Sequence, residues 1–199
     1  MIDIYWGDSK GFQKNSSNCV IGLDRDGVIN LDRGYITNPQ DFEPIPQSLQ
    51  AITKLKQMGY PVVVVSNQSG ISKGIMTSED VDTVHEYMFK LLGEAGCPYI
   101  DALYYSTSSH KQDYYAKPNT GMFERCEKEN PHLRFKGGYF VGDKISDLKA
   151  AIKIDARPIL VRTGHGADTE QLLKRHTYKK IRQKTRVYDN LWEFVESLS

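Results

Sequence analysis

Residues 62–65 are four valines in succession, preceded by Pro61 and followed by Ser66. An unbroken β-branched run of this length has no polar face, so it suits a central strand covered on both sides. Other largely apolar runs repeat the pattern at Cys19–Leu23, Asp101–Tyr105, Gly138–Val141 and Pro158–Val161. Between them lie stretches of helical periodicity. Leu49, Ile52, Leu55 and Met58 precede Gly59, a natural helix stop. Thr77 or Ser78 can cap a helix carrying Val81, Val84, Met88, Leu91 and Leu92, with Gly96 beyond its end. Met122, Phe123 and Cys126 mark another, and Ser146 or Asp147 can start a fourth bearing Leu148, Ala151 and Ile152. Residues 164–184 read as a polar, basic stretch, followed by Arg186-Val187-Tyr188 and a helix from Asp189. Strands alternating with helices predict an α/β fold: a doubly wound, mostly parallel sheet. No interval has room for a separate cap domain. The expected organisation is one domain over residues 1–199, with a catalytic core at about 19–165 completed by 166–199.

Charge narrows the partners. The 199 residues carry 26 basic and 25 acidic side chains, so no net field draws the chain to nucleic acid or to a membrane. Met1–Asp8 lacks the basic start and apolar run of a signal peptide, and no segment approaches the ~20 apolar residues of a span. Three widely spaced cysteines, Cys19, Cys97 and Cys126, suit reduced thiols. The expectation is a cytoplasmic protein with a small-molecule ligand.

Parallel sheets bind ligands at the carboxyl ends of their strands, and the chemically equipped residues fall there. Asp24 and Asp26 follow the first run, and both can face one crevice. One carboxylate can attack phosphorus while the other moves protons. Asp-x-Asp-Gly also occurs in calcium loops, but these need an acid at the twelfth position, which counted from Asp24 is Tyr35. Ser66, with Asn67, Gln68 and Ser69 after it, offers a hydroxyl and backbone amides to a phosphate oxygen. Lys117, before Pro118, offers an ammonium. Asp143, after Tyr-Phe-Val-Gly, can complete an oxygen-rich site for Mg2+. Asp147 can ligate metal, orient Lys144 or cap the following helix. Together these are the parts for phosphoryl transfer through an aspartyl phosphate.

In combination, Asp-Arg-Asp-Gly-Val-Ile-Asn (24–30), Ser-Asn-Gln-Ser-Gly-Ile (66–71), Lys-Pro-x-x-Gly-Met (117–122) and Val-Gly-Asp-Lys-x-x-Asp (141–147) resemble the haloacid dehalogenase superfamily. More narrowly they are similar to heptose 1,7-bisphosphate phosphatases and to histidinol-phosphate phosphatase domains. The resemblance implies Asp24 as nucleophile and Asp26 as general acid/base. It implies Mg2+ held by Asp24, the Asp26 carbonyl and Asp143, phosphate stabilised by Ser66 and Lys117, and substrate contacts from Lys144 and from Asp32, Arg33, Gly34 and Tyr35. The implied reaction is removal of the 7-phosphate from the heptose bisphosphate, with histidinol phosphate as the alternative substrate. A nucleic-acid 3′-phosphatase would rest on the basic 174–186 stretch alone. A non-catalytic phosphate-binding module would be expected to have lost Asp24 or Asp26.

Two departures stand out. Many relatives carry a zinc site of three cysteines and one histidine before the Lys-Pro motif. Here residues 105–116 contain no cysteine and only His110, so no structural zinc is expected. Relatives also place arginine before the motif lysine, where this chain has Ala116, and a basic residue after Lys-Pro, where it has Asn119. Ala116 is expected to border the crevice, with Arg33 and His110 as substitutes for the missing guanidinium.

Overall fold

The computed structural model describes residues 19–110 and 112–199; the reading of the N-terminus as no signal peptide lies outside them. In chain order the elements are β1 (Cys19–Leu23), α1 (Ser48–Gln57), β2 (Val62–Asn67), α2 (Ser78–Glu94), β3 (Ala102–Ser106), α3 (Gly121–Glu129), β4 (Arg134–Gly142), α4 (Ile145–Lys153), β5 (Arg157–Val161), α5 (Gly166–Leu173), α6 (Lys179–Arg182), β6 (Arg186–Tyr188) and α7 (Leu191–Glu196). The six strands form one sheet in the order β3-β2-β1-β4-β5-β6, and each neighbouring pair is parallel. The order reverses at β1, so a crevice opens beyond the carboxyl ends of β1 and β4. The intervals after β1 and β2 hold a loop with α1 and a single α2, and neither forms a cap.

The period-two alternation of strand side chains sorts the core into two layers. Ile21, Leu23, Val62, Val64, Leu103, Tyr105, Val141, Ile159 and Val161 pack with side chains from α1, α2 and α7. Val20, Val63, Val65, Ala102, Tyr104 and Phe140 face α3 and α4. There Phe123 meets Phe135 and Phe140 edge to face, both at a centroid distance of 5.1 Å. Such ring pairs add about 0.5–1.5 kcal/mol each beyond burial.

Several boundaries differ from the sequence reading. β4 begins at Arg134 rather than Gly138, because its first residues alternate exposed and buried instead of forming an apolar run. Its register shifts opposite Cys19 and Ile21, next to Gly137 with φ +81°. α4 starts at Ile145, with Lys144 at the N-cap. The basic 164–184 stretch contains α5, which buries only Gly166, Thr169 and Leu173; so sparse an apolar stripe leaves little periodicity to read. Thr77 does cap α2, exchanging bonds with Asp80 in both directions.

Candidate active site

Asp24 directly follows β1 and is held against β4 by its amide, which donates to the Val141 carbonyl at 2.9 Å. Its Oδ1 accepts from the Arg25 amide at 2.8 Å and pairs with Lys117 Nζ at 3.0 Å. The ammonium also pairs with Asp147 Oδ1 at 2.8 Å and donates to the Val65 carbonyl at 2.7 Å. It stands 5.1 Å from the centre of the Phe140 ring. Asp24, Lys117 and Asp147 are all buried. Burial pushes the Asp24 carboxyl up, and Lys117 offsets this only in part. Burial opposes the charge on Lys117, but Asp147 and Asp24 outweigh it and hold the ammonium above its usual range.

Asn67 fixes Lys117 from the side. Its Nδ2 donates to the Lys117 carbonyl at 3.0 Å, and its Oδ1 accepts from the Lys117 amide at 2.9 Å. The structure therefore places Asn67 as a clamp on Lys117, although it also edges the cleft. Asp147 has two duties: Oδ2 accepts from the Lys144 amide at 2.9 Å at the start of α4, while Oδ1 faces Lys117.

Asp143 lies beyond β4, wholly buried. Its Oδ2 accepts from the His165 amide at 2.8 Å. Its Oδ1 has no hydrogen-bond partner, and the nearest ammonium, Lys144 Nζ, is 3.9 Å away. Burial, reinforced by Asp147, pushes the Asp143 carboxyl up to about 8. Two glycines make the site possible: a Cβ on Gly27 or Gly164 would stand 2.3 or 2.4 Å from Asp143 Oδ2, and both have positive φ. Carboxylate oxygens of Asp24, Asp143 and Asp147 lie within 4.8 Å of one another. An all-oxygen set containing an unpartnered buried oxygen fits a hard divalent cation. Among the described residues this acidic trio is the group of three or more such ligands.

Asp26 is turned away from that trio. Its Oδ1 accepts from Arg25 Nη2 at 2.9 Å, Arg25 Nε at 3.2 Å and Asn30 Nδ2 at 2.9 Å. Its Oδ2 accepts from Arg25 Nη2 at 3.0 Å and Gln68 Nε2 at 2.9 Å. Gln68 Nε2 also donates to Ser66 Oγ at 2.8 Å. Burial works against ionisation of Asp26, but Arg25, Asn30 and Gln68 prevail and lower its carboxyl below the usual range.

A cleft of about 290 Å³ opens above these groups, lined by Asp26, Asp32, Gly34, Tyr35, Asn67, Gln68, Ser69, Lys144 and His165. Lys144 Nζ donates to Asp32 Oδ2 at 2.8 Å, and His165 Nε2 is 3.2 Å from the same oxygen. Opposite, Lys73 Nζ donates to the Tyr35 hydroxyl at 2.7 Å. His165 gave no sequence signal beyond lying just past a strand end. Two expectations are corrected. Arg33 does not line the cleft; it pairs with Glu43. Ala116 is buried and does not border the cleft either, because the segment before Lys117 turns inward through hydrogen bonds to Asp113 and Asn119. A larger apolar recess of about 550 Å³, lined in part by Leu92, Cys97, Tyr99 and Ile100, lies beside the segment entering β3. It holds none of the carboxylates, and α/β sheets bind at the other end of their strands.

Comparison with known proteins agrees with this geometry. Residues 20–183 match the family described as polynucleotide kinase 3 phosphatase. A D-glycero-beta-D-manno-heptose-1,7-bisphosphate 7-phosphatase of Pseudomonas aeruginosa is 35% identical over 92% of this chain and 98% of its own. The Escherichia coli K12 protein of the same name is 37% identical over 72% and 79%. The crystal structure of the D,D-heptose 1,7-bisphosphate phosphatase from B. bronchiseptica, complexed with magnesium and phosphate, superposes with a TM-score of 0.80 at 31% identity, covering 90% of this chain and 97% of that one. The chain belongs to the phosphatases of the haloacid dehalogenase superfamily, in the family that holds the heptose 1,7-bisphosphate 7-phosphatases. No described helix is long and apolar enough to cross a membrane.

Proposed function

We propose that this phosphatase removes the 7-phosphate of D-glycero-D-manno-heptose 1,7-bisphosphate through a phosphoaspartate on Asp24. The observation that carries the chemistry is the buried group of Asp24, Lys117 and Asp147 (Lys117 Nζ within 3.0 Å of both carboxylates) beside the partnerless oxygen of Asp143. The relatives' names support the substrate. A carboxylate oxygen of Asp24 bonds to phosphorus as the ester P–O bond breaks, and Asp26, ionised in the free site and protonated once the charge of the bound phosphate offsets its donors, supplies the proton that turns the leaving oxygen into an alcohol. Water then attacks phosphorus, Asp26 takes its proton, and Asp24 is regenerated as inorganic phosphate leaves. Lys117 and Ser66 hold phosphate oxygens, while Lys144, with Asp32, meets the sugar side. Asp24, Asp143 and the Asp26 carbonyl would hold Mg2+, which would supply charge neutralisation to the phosphate oxygens. Asp147 is assigned to anchoring Lys117, with which its Oδ1 pairs at 2.8 Å.

Phosphate release from heptose 1,7-bisphosphate, histidinol phosphate and a 3′-phosphorylated oligonucleotide tests the substrate. The heptose should give the highest kcat/KM; preference for either competitor overturns the assignment. EDTA should stop turnover, magnesium should restore it, and elemental analysis should find no stoichiometric zinc. Because Asp143 without a cation keeps its proton up to about pH 8, and the metal needs the carboxylate, magnesium binding should weaken as pH falls below that value. The limit is about tenfold per pH unit for one displaced proton. Calorimetry in buffers of different ionisation enthalpy reads the released proton directly, and buffer-independent heats near neutral pH would contradict it.

A further inference from the structure

His85 is an anomaly in α2. It lies fully buried on the face that carries Val81, Val84, Met88 and Leu92, where an aliphatic side chain would need no hydrogen bonds. Its Nε2 is 3.1 Å from Arg25 Nη1. A guanidinium has only donors, so Nε2 accepts and the ring proton sits on Nδ1. That Nδ1 is buried and has no partner, an uncompensated cost of keeping the imidazole there. Burial, with Arg25 adding to it, keeps the ring neutral, its pKa well below the usual value. The ring rests on Tyr105 at a centroid distance of 5.4 Å, and the Tyr105 hydroxyl donates to Asp82 Oδ1 at 2.9 Å.

The other edge of the same guanidinium holds Asp26. Arg25, itself wholly buried, grips both carboxylate oxygens with Nη2 while Nε takes a second hold on Oδ1. A planar fork with one edge on a carboxylate and the opposite nitrogen on a helix-borne acceptor has one orientation left. We propose that His85 is a positioning residue for proton transfer: by accepting from Arg25 it fixes the guanidinium, and through it the place from which Asp26 serves the leaving oxygen. The inference rests on the reading of Asp26 as general acid. In that step the Asp24–phosphorus bond forms, the ester P–O bond breaks, and the Asp26 proton passes to the departing oxygen.

The test compares leaving groups. An alkyl phosphomonoester needs the proton; p-nitrophenyl phosphate, whose phenolate leaves unaided, does not. His85→Leu should lower kcat/KM, which covers only the steps up to departure of the leaving group, by about tenfold or more on the alkyl ester, with kcat/KM on p-nitrophenyl phosphate within about twofold, which also reports an intact fold. His85→Gln, whose amide oxygen can still accept from Arg25, should recover most of the loss. Should the leucine variant not fold, His85→Phe keeps a flat ring against Tyr105 and carries the same expectation. Asp26→Asn is the control and should show the same leaving-group contrast in kcat/KM, larger. If Asp26→Asn shows no contrast, the general-acid reading itself fails. If it does and the apolar His85 variants affect both esters equally or neither, or glutamine restores nothing, this inference fails alone.

Discussion

Asp24→Asn is expected to reduce turnover by about a thousandfold or more, as loss of a covalent nucleophile does elsewhere, while thermal unfolding stays close to that of the native protein. The second half follows from the surroundings of residue 24. Its carboxyl is buried, pushed up in pKa by that burial and further by Asp147 and Asp26. A neutral amide of the same shape relieves this crowding, and Lys117 keeps Asp147 at 2.8 Å. Acid-quench mass spectrometry should find phosphate on Asp24 in the native chain after brief mixing with substrate, and none in the variant. Activity within about tenfold of native in a clean preparation would move the nucleophile elsewhere.

Lys117→Met should cost both activity and stability. The methionine fills the space but leaves Asp24 and Asp147 buried without the ammonium that neutralises them. Removing one partner from a buried ion pair costs about 3–5 kcal/mol, which in a chain of this size lowers Tm by about 10 °C. Without Lys117 the main influence lowering the Asp24 pKa is lost, so its folded-state value rises further above the unfolded one. A group raised in this way contributes stability that is present at low pH and lost as pH rises through the folded value. The deficit should therefore be small near about pH 5, large near about pH 8, and partly repaired by magnesium. Thermal melts at the two pH values, with and without the cation, check it. A deficit of the same size at both would mean that lost packing, not charge, sets the cost.

The strands and the acids at their ends were legible because each needs only local information. Val62–Val65 can be read as a buried strand without knowing its neighbours, and Asp24, Ser66 and Asp143 then fall at the carboxyl edge by counting. What could not be read depends on side chains meeting across the fold. The two hydrogen bonds of Asn67 to the Lys117 backbone join residues 50 apart, so the sequence could place Asn67 at the cleft edge but not reveal its clamp on Lys117. Arg33 looked available because Glu43 is ten residues away and nothing in the pattern pairs them. The inward turn that buries Ala116 is set by backbone bonds to Asp113 and Asn119, to which the missing arginine gives no clue. His85 stands among the apolar positions of α2 and drew no notice in the sequence. Only its distance to Arg25 distinguishes it from core.

Residue 165 meets the cleft with two chemically separate groups. Its backbone amide binds the buried Asp143 carboxylate, and its imidazole reaches Asp32 at the rim. Any residue except proline supplies the first, whereas only the side chain supplies the second. The acidic trio is thus insulated from mutation at this position, and the rim is not. A lineage could exchange the imidazole for a longer cation or a neutral group, and with it the molecules admitted, without disturbing the ligand beneath. Under the proposed function, the loop after β5 would be a place where new substrate preferences could be tried while the acidic trio stays constant.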